Sequence, residues 1–187
     1  MTEIESLYKK ENGKVLIEIK LSSIIQLFNS FDPAPFHEKQ LDSDADKYIV
    51  DTIRDFPKNT QFKIVVHLPR ELALSDQAAT IKPAIHNHYR YMCLVTGRKF
   101  RQMVKYGRDS LIIGLSLLIF ALVARQLILK PGAPFLAQVL ADAFLIIGWV
   151  AMWEPATVLL YQLWPILKEQ NIYNRISEME IEVIPSS

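Results

Sequence analysis

The chain has 187 residues, a net charge of +1, one cysteine and a hydrophobic share of 50%. Near-neutral charge excludes a global attraction to nucleic acid, and the lone Cys93 excludes an internal disulfide or a cysteine metal cluster. The length suits one compact domain plus a membrane hairpin.

In chain order, residues 1–13 read as a frayed lead-in that ends at the turn dipeptide Asn12-Gly13. Val15 to Leu21 alternates, with Val15, Ile17, Ile19 and Leu21 on one side and Glu18 and Lys20 on the other, so it predicts a strand with one face on a core. Ser22 or Ser23 can cap a short helix from Ile24 to Asn29. Phe31-Asp32-Pro33-Ala34-Pro35-Phe36-His37 cannot be regular, because two prolines interrupt it. Its phenylalanines can fold it onto the core, or Phe31, Asp32 and Phe36 can form a docking loop for a cytoplasmic protein partner.

Asp42 or Ser43 then caps a helix whose Ala45, Ile49, Ile53 and Phe56 share one stripe. The Asp42-x-Asp44-x-Asp46 spacing starts like a calcium loop, but Lys47 and Ile53 stand where such a loop needs glycine and glutamate, so no calcium is expected. Gln61 to Pro69 is a second alternating strand, with Lys63 and His67 opposite Phe62, Ile64, Val66 and Leu68. Strand, helix and strand in this order predict a parallel pair. A third alternating segment, Met179 to Ile184, is expected to join the same sheet, because an isolated amphipathic strand has little reason to stay ordered.

Residues 75–109 predict a long helix, with Ile81, Ile85, His88 or Tyr89, Met92 and Val95 or Thr96 as its stripe. His86 and His88 sit two residues apart and so point apart on a helix. They do not predict a shared metal, and no metal or cofactor is expected. No Gly-rich phosphate loop, nucleophile elbow or zincin pattern occurs, so no catalytic residue is assigned.

From Ser110 to Trp153 the chain changes character. Two apolar arms of about twenty residues, each the length needed to cross about 30 Å of hydrocarbon, flank Lys130-Pro131-Gly132-Ala133-Pro134. Only backbone that bonds to itself can face lipid, so the arms predict a two-helix transmembrane hairpin reversed by the proline–glycine turn. Arg98, Lys99, Arg101, Lys105 and Arg108 precede the first arm, opposed by Asp109 alone, and Lys168 and Arg175 follow the second. Basic residues stay on the cytoplasmic side, so both termini should be cytoplasmic in a multi-pass membrane protein. These five bases, with Trp153 and Trp164, are expected to anchor lipid headgroups rather than nucleic acid, since they abut a span. Arg125, Gln138 and Asp142 lie inside the apolar arms. They can form a polar seam, with Arg125 reaching Asp142 across the hairpin; alternatively Arg125 snorkels outward and Asp142 stays protonated or bonds to Gln138. Glu154-Pro155 should break the second arm, leaving Ala156 to Lys168 as an interfacial helix.

The expected fold is therefore an α+β membrane protein. A small cytoplasmic sheet-and-helix domain is formed by both chain ends, with the hairpin inserted between them. The expected boundaries are 1–109, 110–153 and 154–187. Phe31 to Asp51 (FDPAPFHEKQLDSDADKYIVD) and Ile146 to Pro155 (IIGWVAMWEP) resemble a family of small, uncharacterised bacterial two-span membrane proteins with a cytoplasmic α+β domain. That resemblance implies topology and a bacterial source, and no activity. Three functions compete. The first is a non-enzymatic homo-oligomeric scaffold or assembly subunit. The second is a channel or transporter subunit with a path along Asp142, Gln138 and Arg125. The third is a membrane-anchored ligand sensor or enzyme.

Overall fold

A computed structural model describes residues 8–29, 40–132 and 134–186. The chain forms two compact units, one of Met1–Val95 with Glu169–Ser187 and one of Thr96–Lys168.

The first unit is built on a four-stranded sheet in the order β1-β2-β3-β4. β1 (Lys10–Glu11) and β2 (Lys14–Lys20) are antiparallel, joined by Asn12 and Gly13. Both loop residues have positive φ, 49° and 79°, as a two-residue type I′ hairpin demands. The lead-in is thus not wholly frayed: its last residues form an edge strand, because Asn-Gly folds them back onto β2. β3 (Phe62–Leu68) lies parallel to β2 on one side and to β4 (Glu180–Pro185) on the other. Segments more than a hundred residues apart therefore meet at one strand.

The register puts Ile17, Ile64 and Ile181 side by side, with Ile19, Val66 and Val183 in the next row. This face meets α1 (Ser43–Arg54), the start of α3 (Asp76–Ile128) and the end of α6 (Leu163–Ser177). Ile49, Ile53, Ile81, Ile85, Tyr89 and Ile176 are all buried in this core. Burying each such isoleucine is worth about 1.5–3 kcal/mol. Asp42 caps α1 by accepting the Asp44 N–H at 3.0 Å, and Asp44 and Asp46 in the first turn suit the positive helix end. The short helix expected over Ile24–Asn29 is a single 3-10 turn, Ile24–Leu27. It ends early because Phe28 bridges Leu41 in extended backbone. A short α2 (Arg70–Ala73) separates β3 from α3.

The other sheet face carries charge. Lys63 Nζ lies 2.8 Å from Glu11, 2.7 Å from Glu182 and 3.8 Å from Glu180, and its side chain is only 12% exposed. Hydrogen bonds to Glu11 and then Glu182 raise the Lys63 pKa above the ordinary lysine range. The Lys14 ammonium, hydrogen-bonded at 2.7 Å, lowers that of Glu180. The signs follow. The lysine contribution is complete below the unfolded value near about 10.4 and fades as pH climbs through the raised value. The Glu180 contribution is present above about 4.3 and fades as pH falls through its lowered value. Lys63→Met keeps the stem but leaves three carboxylates crowded together. We expect its circular-dichroism melt to fall by several degrees at pH 7, with the deficit shrinking in acid as pH falls through the lowered Glu180 value. An equal deficit in acid would show that packing, not charge, is lost.

Candidate functional site

The second unit holds the two apolar arms. The first is the later part of α3. The second comprises α4 (Phe135–Ala151), α5 (Trp153–Thr157), a π-helical turn (Val158–Gln162) and the start of α6. Gly132, at φ 79°, turns the chain between them, and Pro134 leads into α4.

Small residues let the arms touch. A Cβ at Gly107 would stand 2.8 Å from Val158 Cγ1, one at Gly114 2.7 Å from the Ala151 carbonyl oxygen, and one at Gly148 2.9 Å from Ala121 Cβ. Gly107, Gly114 and Ala121 recur every seven residues, as do Ala141, Gly148 and Pro155 on the return arm, and all are buried. A strict seven-residue repeat keeps one seam in contact along two helices. The contacts pair falling with rising numbers, so the arms are antiparallel. Phe120 and Phe144 add an edge-to-face contact with centroids 6.3 Å apart.

Glu154-Pro155 does not end the return arm. Helical backbone runs on from Trp153 through the π-turn to Ser177, and Pro155 is buried in the seam. The helix is interrupted at Met152, between α4 and α5, so Pro155 falls in the first turn of α5, where its missing N–H costs little.

The structure brings Arg125 and Asp142 together: Nε stands 3.5 Å from Oδ1. The Asp142 side chain is nevertheless 63% exposed and that of Arg125 39%. Gln138, one turn before Asp142, is exposed as well. The pair thus opens sideways, off the hairpin seam. Outside it the arms present Ile112, Ile113, Phe120, Leu136, Ile146 and Val150 to their surroundings. In each arm's most apolar 18-residue window only 11% of residues are buried.

Arg98, Lys99, Arg101, Lys105 and Arg108 are all exposed on α3, and Trp153 and Trp164 are exposed on the return arm. Arg108 pairs with its neighbour Asp109 at 2.8 Å, and Tyr106 donates to Glu154 at 3.0 Å. Phe31, Asp32 and Phe36 of the expected partner loop lie outside the described residues.

In the first unit the histidines are each tied separately. His86 Nε2 donates to the Met179 carbonyl at 2.9 Å, and His67 Nε2 meets Glu18 at 3.1 Å. His88 Nδ1 accepts the Leu41 N–H at 3.2 Å. That bond leaves its proton on Nε2, which points to Asp46 Oδ1 at 3.6 Å and is unsuited to a metal. Among the described residues no group of three or more His, Cys, Asp or Glu could hold an ion. Burial, and then the Asp46 charge, push the Tyr89 phenol above its ordinary range, so it stays neutral. Asp46, His88 and Tyr89 form a buried polar group. Their separate elements hid it from the sequence, where only the apolar stripe marked His88 or Tyr89. A shallow cleft of about 290 Å³ lies along α1, lined by Tyr8, Asp44, Lys47, Tyr48, Asp51, Thr52 and Asp55. Burial raises the Cys93 thiol above its ordinary pKa, with Glu178 adding to the effect, which makes it a poor nucleophile.

No family model, no curated protein and no solved structure matches the chain. The likeness to a bacterial membrane family gains no support from these comparisons.

Proposed function

We propose that the chain is a non-enzymatic integral membrane protein, a homo-oligomeric scaffold whose hairpin holds the α+β domain at the cytoplasmic surface of an inner membrane. The observation that carries this reading is the exposure of the arms. The core helix of a soluble protein is mostly buried, whereas these two are apolar and almost wholly uncovered. Five bases below the first arm, against Lys130 alone at the turn, support cytoplasmic termini. The bacterial inner membrane rests on the sequence likeness alone.

The sideways opening of Arg125 and Asp142 supports assembly. A carboxylate facing hydrocarbon costs a few kcal/mol on insertion scales, and a second copy bringing the same pair relieves that cost without adding net charge. We expect the protein to resist carbonate extraction and to migrate in detergent as an oligomer. Asp142→Ala is expected to lower the subunit number measured by native mass spectrometry. Recovery in the soluble fraction without detergent would defeat the membrane reading, and a monomeric wild type would defeat the scaffold. The exposed Asp142 carboxylate also favours a second reading, a channel subunit with a path between protomers. Ion flux into liposomes that Asp142→Ala leaves unchanged would dismiss it.

A further inference from the structure

We propose that one face of α3 is a docking strip for an anionic phospholipid, with Arg101, Lys105 and Arg108 on the headgroup and Ile112, Leu115 and Ile119 along an acyl chain. The proposal rests on the membrane reading above and names a ligand class for it.

These six residues recur at steps of three and four, so they form one continuous line along the helix. The line turns away from the return arm. Gly107, Gly114 and Ala121, which touch that arm, each lie two residues beyond Lys105, Ile112 and Ile119, or about 200° round the helix. All six side chains are exposed. Nothing in the hairpin seam therefore competes for them.

The upper and lower halves of the strip want different solvents. Ile112, Leu115 and Ile119 present bare hydrocarbon, whereas the three cations begin one turn below. Among the described residues no carboxylate pairs with Arg101 or Lys105, and Asp109 neutralises only Arg108. Arg101 donates Nε to the Gly97 carbonyl at 3.3 Å, which leaves its two terminal nitrogens for a ligand. A guanidinium and an ammonium one turn apart suit a phosphate and a second anionic or hydroxyl-bearing headgroup group. A soluble anion would satisfy the cations and leave the isoleucines bare. A neutral lipid would cover the isoleucines without neutralising the cations. An anionic phospholipid does both, in the order in which the residues occur.

The test uses the full chain in nanodiscs and in detergent, probed with dioleoyl phosphatidylglycerol and dioleoyl phosphatidylcholine. Native mass spectrometry should find the glycerol lipid retained about tenfold over the choline lipid. Arg101→Gln/Lys105→Gln should bring that ratio close to one, with helicity and incorporation into phosphatidylcholine vesicles unchanged. Arg90→Gln, exposed on the same helix but about three turns N-terminal to Arg101, should keep the preference. Millimolar inorganic phosphate should not displace the lipid; if it does, the site takes free phosphate and the lipid assignment falls. An unchanged ratio in the double variant would overturn the proposal. So would a change in subunit number without lipid loss, which would give the strip to a second copy. Wild type that inserts into phosphatidylcholine with no lipid preference sinks the strip and leaves the membrane reading standing. Wild type that enters neither vesicle sinks both.

Discussion

Ile181→Asp should unfold the sheet from its far edge. Ile181 is 5% exposed in β4 and lies beside Ile64, which lies beside Ile17. A carboxylate placed there is buried among apolar core side chains, at a cost of about 4 kcal/mol or more. Total stability of such a domain is about 5–15 kcal/mol, so the loss is a large share. Hydrogen exchange at the amides of Phe62–Leu68 should rise about a thousandfold, taking 1.4 kcal/mol per factor of ten. Glu182→Ala is the control. Its side chain points to the opposite face of the same strand and is about half exposed. Glu11 still pairs with Lys63 in that variant, so losing the half-exposed Glu182 carboxylate should cost far less than burying a charge. Equal exchange in the two variants would mean that β4 does not complete the core.

Gly114→Leu should force the arms apart. Even a Cβ would stand 2.7 Å from the Ala151 carbonyl oxygen and 3.3 Å from its carbon, and backbone cannot rotate aside as a side chain tip can. Overpacking of this kind costs about 1–3 kcal/mol. Disulfide trapping reads the separation directly. In a Cys93→Ser background, Ala121→Cys with Gly148→Cys places two Cβ atoms close enough to bridge after a small shift. The bridge should form readily in the parent and at least about tenfold more slowly once Gly114→Leu is added. An undiminished rate would show that the helices do not meet at Gly114.

Alternation in Val15–Leu21, Gln61–Pro69 and Met179–Ile184 marked all three long strands. Their side chains obey a period of two, and one face of each is buried. The stripe of Ala45, Ile49, Ile53 and Phe56 was equally legible, since α1 has one side on the core. Lys10–Glu11 was missed because two polar residues carry no pattern, and only the Asn-Gly turn creates the strand. Pro155 misled because a proline in the first turn of a new helix interrupts the arm without ending it. Here the proline is buried in the seam and a π-turn follows it. Within the site, Arg125 and Asp142 stood out as charges in apolar sequence, but their sideways exposure depends on helix rotation, which packing sets. The Asp46–His88–Tyr89 group was illegible because tertiary contact alone assembles it, and a lone histidine looks the same whether or not an aspartate faces it.

β3 receives its second neighbour only when residue 180 has been made. At a synthesis rate of about 5–20 residues per second, the ribosome needs roughly ten seconds to travel from the end of β3 to that point. Both arms emerge during this interval, while Ile64 and the open edge of β3 await a strand that does not yet exist. Both apolar arms are thus made before the sheet can be completed, and a chain stalled in the hairpin would carry a half-built sheet with a sticky flank.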